Sequence, residues 1–172
     1  MGLTNVQGMQ GLGAWSAVPS ISTGYGHWGI NVIVVVATVA AVSACVLLHY
    51  EALTLLSRSL ARMGTSKRRR VLRGIFGVLV VHVAEIWIFG LTLFTLIFLD
   101  PRFGAVSGIS SNSLLDNVYF SAVTFSTVGF GDVIPLGPIR FLVGTEALAG
   151  FVLITWSASF TYLEMERYWR RD

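Results

Sequence analysis

The chain has 172 residues, 54% of them hydrophobic and only 12% charged, with a net charge of +3. That composition excludes an ordinary soluble domain and describes an integral membrane protein. The basic residues sit beside apolar runs rather than forming a nucleic-acid surface, and no nucleophile–base pair, metal-spacing cluster or phosphate loop points to an enzyme.

Residues 1–28 are rich in Gly, Ser and Gln and hold no Lys or Arg, so the basic opening of a signal peptide is missing. We expect an extracellular segment. Its Ser22-Thr23-Gly24-Tyr25-Gly26-His27 has no apolar half-helix or span before it and reads as a loop. Residues 29–57 are the first of three stretches that meet the roughly 20 mostly apolar residues a bilayer span requires. This span carries no Arg or Lys, whereas a voltage sensor needs several at helical spacing. Cys45, the one cysteine, reads as a small packing residue.

Residues 58–70 form a basic loop in which Gly64 and Thr65 break the helical pattern; its charge continues to Arg73. The positive-inside rule places this loop in the cytoplasm, together with Arg167, Arg170 and Arg171 after the last span. The N-terminus is therefore expected outside and the C-terminus in the cytoplasm of a multi-pass plasma-membrane protein. The stretch Arg58–Arg73 is also a candidate for anionic-lipid binding.

Residues 71–172 read as one unit. A second span, 71–99, stops at Asp100-Pro101 and leads into a Gly/Ser-rich outer loop. Ser113, with Asp116 three residues on, signals the N-cap of a helix over 114–125. A dozen residues cannot cross a bilayer, so this helix is expected to be re-entrant. Its negative C-terminal end would then face the membrane centre and favour a cation there. Pro135, Gly137 and Pro138 turn the chain into an inner helix over 139–168.

Between the short helix and that turn lies Thr127-Val128-Gly129-Phe130-Gly131-Asp132. A pore that strips an ion of water must replace the water with backbone carbonyls facing one axis. L-residues turn successive carbonyls to opposite sides, so alternate positions must visit left-handed conformations, which Gly129 and Gly131 do without steric cost. Thr127 can add its hydroxyl at the inner mouth, and Asp132 puts negative charge at the outer one.

From Val71 to Tyr168 the chain resembles bacterial two-helix potassium channels and the pore module shared across potassium channels. The resemblance rests on Tyr119 to Asp132, followed by Pro135 and Arg140. It implies a homotetramer of all-α chains, each with an outer helix, a pore helix, a selectivity filter over Thr127–Asp132 and an inner helix. Permeant K⁺ would be held at Thr127, Val128, Gly129 and Phe130, with no organic cofactor. The additional N-terminal helix departs from the two-helix pattern and resembles a group of short three-span bacterial channels. Gly150 falls at the family's inner-helix hinge, and Phe151, Ile154, Ala158 and Tyr162 share the face we assign to the pore. Gly150 can equally serve close helix packing. Phe130 stands where Tyr is usual, and Val123 where some bacterial members carry Glu. On this reading Tyr119 and Phe120 offer the filter only apolar packing.

Four ionisable residues inside the first two spans complete the reading. His49, Glu51, His82 and Glu85 are expected to form either an inter-helix hydrogen-bonded cluster or a pH-sensing group, because charge at that depth needs a partner. Glu146 is expected to support the filter by accepting from filter or pore-helix donors. A subunit of a potassium transport system and a modulatory, co-assembling channel subunit are the alternative functions.

Overall fold

The computed structural model describes residues 28–62, 67–110 and 113–169, without the side chains of Lys67, Tyr168 and Trp169. Expectations for residues 1–27, including the Gly-Tyr-Gly loop, lie outside the described residues, as do Arg170 and Arg171. Helices α1 (Trp28–Ala61), α2 (Lys67–Leu99) and α4 (Arg140–Trp169) are each long and apolar enough to cross a membrane. The 12-residue helix α3 (Leu114–Phe125) lies between α2 and α4 in sequence and packs against both.

The long helices run further into the basic stretch than a loop over 58–70 allows. Arg58 lies in the last turn of α1, and Lys67–Arg70 form the first turn of α2. Lys and Arg are good helix formers, so a basic run alone stops no helix. The chain is mostly helical, as expected, with one short ribbon beside the helices. Strands β1 (Ala105–Ser107) and β2 (Ile134–Leu136) pair antiparallel, with Val106 opposite Pro135. In a ribbon of two strands Pro135 can turn its missing N–H outward, so the ladder tolerates it.

Local chemistry explains the ends. The Asp100 carboxylate accepts from the Arg102 N–H at 2.9 Å and from its guanidinium at 2.6–3.1 Å, capping a short 3-10 turn over Pro101–Phe103. Arg102 beside it holds the Asp100 carboxyl below its ordinary value. The Ser113 hydroxyl accepts from the Asp116 N–H at 3.3 Å and starts α3.

One core joins the four helices. Phe89 and Leu93 of α2, Phe120 and Phe125 of α3, Ile139 just before α4, and Leu142 and Leu153 of α4 are buried together, beside Val34 and Cys45 of α1. Leu47, Val80, Phe98, Leu148 and other large apolar residues stay exposed, as a lipid-facing surface requires. Because lipid is as apolar as leucine, close packing and inter-helix polar bonds must hold such helices together. Gly90 provides close packing: a Cβ there would lie 2.9 Å from the Val118 Cα, so only glycine lets α2 and α3 approach so near.

Candidate functional site

The segment after α3 folds back on the helix that precedes it. The Val123 carbonyl accepts from the N–H groups of both Val128 (3.1 Å) and Gly129 (3.3 Å), and the Thr127 N–H donates to the Thr124 carbonyl at 2.9 Å. Beyond that anchor, left-handed backbone recurs at alternate residues: Thr127 (φ +59°), Gly129 (φ +52°) and Gly131 (φ +82°). Gly129 and Gly131 were the expected positions. Thr127 is a third, and the one non-glycine residue with positive φ among the described residues. A β-branched residue in that region carries strain of about 1–3 kcal/mol, which its surroundings must sustain. From Thr127 to Asp132 every residue is exposed in the single chain, and a Cβ on Gly129 or Gly131 would meet open space.

The support behind this segment is polar as well as apolar. Tyr119 donates its phenolic hydrogen to Asp132 Oδ2 at 3.0 Å, which corrects the expectation of apolar packing alone. The outer loop presses on the same residue, since a Cβ on Gly108 would lie 2.0 Å from the Asp132 carbonyl oxygen. Glu146, fully buried on α4, meets Ser121 of α3 through Oε1, and the Ser121 hydroxyl also reaches the Ile86 carbonyl of α2 at 2.9 Å. One serine of α3 thus ties three helices together. Glu146 Oε2 meets no protein donor among the described residues.

Phe151, Ile154, Ala158 and Tyr162 are all exposed along one side of α4, while Leu142, Glu146, Leu153, Ser157 and Glu164 are buried on the other. Gly150 is buried where α4 crosses the end of α3, and a Cβ there would lie 2.1 Å from the Phe125 carbonyl oxygen. The geometry therefore gives Gly150 a packing role.

The membrane-embedded ionisable residues separate into two sets. Glu85 Oε1 pairs with His49 Nδ1 and its Oε2 with His82 Nδ1, each at 2.8 Å, so one carboxylate bridges α1 and α2. Ser157 of α4 lies 3.3 Å from His49 Nε2, and Trp156 and Phe125 pack against the two imidazoles. Glu51 stays out of this cluster and is exposed. Two residues along a helix is about 200° around it, so proximity in sequence to His49 carries Glu51 away from the buried side. Sequence reasoning missed Glu164, which accepts from Ser57 of α1 and from Arg167 at 3.0 Å each. Ser57 is 107 positions away, and no local pattern announces such a pair.

Comparison with known proteins follows the same stretch. The ion channel family matches residues 78–165, just over half of the chain. An inward rectifier potassium channel of Paramagnetospirillum magnetotacticum, Kirbac3.1, is 28% identical over 119 residues, or 64% of this chain and 40% of that protein. Protein LctB of Geobacillus stearothermophilus is 36% identical over 53 residues, covering 31% of this chain and 40% of its own length. Protein LctB of Bacillus caldotenax is 42% identical over 40 residues, covering 23% and 30%. The chain therefore spans less than half the length of each of these relatives. No solved structure matches it.

Proposed function

Because the chain belongs to the ion channel family, we propose that four copies assemble into a potassium-selective pore with Thr127–Asp132 as its filter. The observation that carries this reading is the alternation of left-handed backbone at Thr127, Gly129 and Gly131 in an exposed segment. Such alternation lets successive carbonyls share one side, where four copies would ring a dehydrated cation. Likeness to a relative named as a potassium channel supports the choice of ion. Helix α3 would act as the re-entrant pore helix, its C-terminal dipole favouring a cation in the cavity below. Phe151, Ile154, Ala158 and Tyr162, exposed along one side of α4, would line that cavity.

The remaining parts support the pore. The bonds from Glu85 to His49 and His82 fasten α1 to the channel unit, and the Ser121–Glu146 contact holds α3 against α4. Arg58 and the basic first turns of α2 would face the cytoplasm and meet anionic lipid, with the start of α1 outside. Conduction consists of passive K⁺ exchange between carbonyl sites and needs no organic cofactor. Purified protein in potassium-loaded liposomes should release K⁺ and cross-link as a tetramer. A monomer or dimer in native membranes would refute the assembly, and absence of flux from intact tetramers would refute the conduction.

A further inference from the structure

We propose that His49, His82 and Glu85 form an intramembrane site for a zinc-class divalent ion, bridging α1 and α2. Each residue offers one ligand atom, and these atoms all lie within 4.8 Å of one another. Imidazole nitrogen and carboxylate oxygen suit Zn²⁺, and three protein ligands with a fourth position open is an established coordination pattern for it. Bonds of about 2.0–2.1 Å in tetrahedral geometry put ligand atoms about 3.4 Å apart. The two 2.8 Å contacts to Glu85 therefore need to open only slightly, and the imidazoles to close on the metal.

Three further observations favour a built site. Ligating imidazoles usually donate their other N–H to a fixed acceptor, and the Ser157 hydroxyl lies 3.3 Å from His49 Nε2. Trp156 packs against the His49 ring and Phe125 against the His82 ring, which limits the solvent that would compete for the ion. An entry path is present too. His82 is the partly exposed member of the set, and it borders a groove of about 450 Å³ between α2 and α4, lined also by Ser157, Ile154, Ala158 and Tyr162. Those last three residues are the ones assigned to the pore cavity, so an ion could reach His82 from the cavity side.

Binding would cross-link the N-terminal helix to the channel unit, independently of which ion the pore passes. The test is titration of the purified full-length tetramer with Zn²⁺ against a fluorescent zinc chelator, with thermal unfolding measured in parallel. We expect one Zn²⁺ per chain and a higher Tm with zinc. His82→Gln keeps a hydrogen-bonding side chain at the least buried position, and the double variant His49→Gln with His82→Gln removes both imidazoles. We expect affinity to fall by at least about tenfold in His82→Gln, as loss of a ligand should cost no less than loss of a ligand's supporting partner. The zinc effect on Tm should vanish in the double variant. Absence of stoichiometric binding, or equal binding by wild type and both variants when all are tetrameric, would overturn the site. Failure of potassium flux would count against the proposed channel and leave the zinc result to be judged separately.

Discussion

Substituting Gly150 by Ala asks whether this glycine is there for close approach or for bending. The added Cβ would sit 2.1 Å from the Phe125 carbonyl oxygen, about 1.3 Å short of ordinary contact, and within 2.9 Å of the Phe125 carbonyl carbon and Cα. All three are backbone atoms, so no side chain can rotate away. Either α4 must move off α3, or the end of α3 must shift. Overpacking of this kind costs about 1–3 kcal/mol. Ala regains about 1 kcal/mol over Gly within a helix, which leaves a net loss of up to about 2 kcal/mol per chain. Thermal unfolding of the purified tetramer should register a fall of several degrees. Phe125 is two residues before Thr127, and Val123 in the same turn holds the Val128 and Gly129 N–H groups, so potassium flux should fall as well. A hinge predicts the opposite stability change, since Ala would stiffen α4 and raise Tm. A variant as stable as the wild type, or more so, with unchanged flux would refute the packing argument.

Tyr119→Phe removes the donor to Asp132 and keeps the ring, so single-channel records should show shorter openings with K⁺ selectivity retained; unchanged dwell times would make the 3.0 Å bond incidental. The Asp100–Arg102 pair lies outside the spans, with the Asp100 carboxyl held low by the guanidinium. A carboxyl lowered in the folded state contributes stability above its unfolded value of about 3.9, and this is lost as pH falls through the folded value. The pair should therefore stay intact at neutral and mildly acidic pH, and Arg102→Gln should raise the Asp100 titration midpoint seen by NMR; an unmoved midpoint would contradict the assignment. For topology, Trp28→Cys should react with a membrane-impermeant thiol reagent in intact cells and Arg62→Cys only after lysis, and the reverse pattern would invert the orientation.

Where sequence reading succeeded, the physics was local or imposed by the solvent. A bilayer dictates span length, so α1, α2 and α4 stand out as long apolar runs. Ser113 caps α3 through an N–H three residues away, a distance that sequence spacing measures directly. Glycine at 129 and 131 announces left-handed backbone because other residues resist it. Thr127 adopts the same region with nothing in its side chain to signal it. The β1–β2 ribbon pairs three-residue strands from the two ends of the α3 unit, too short for an alternating pattern and disguised by Pro135 and Gly137. The bonds Tyr119–Asp132, Ser121–Glu146 and Ser57–Glu164 each join separate elements, so their partners emerge only in three dimensions. At about 1.5 Å per residue along their helices, His49 and His82 come at similar depth, and their rings lie 5.5 Å apart. Glu51 was grouped with them by sequence proximity, which helix rotation overrides.

The most direct test of a potassium-selective filter at Thr127–Asp132 is the reversal potential of purified tetramers in a planar bilayer, with K⁺ on one side and Na⁺ on the other. The account predicts a reversal strongly displaced toward the potassium equilibrium potential, and loss of current in Gly129→Ala tetramers, because a Cβ opposes the φ of +52° held there. A reversal near zero, reporting equal passage of sodium and potassium, would contradict it.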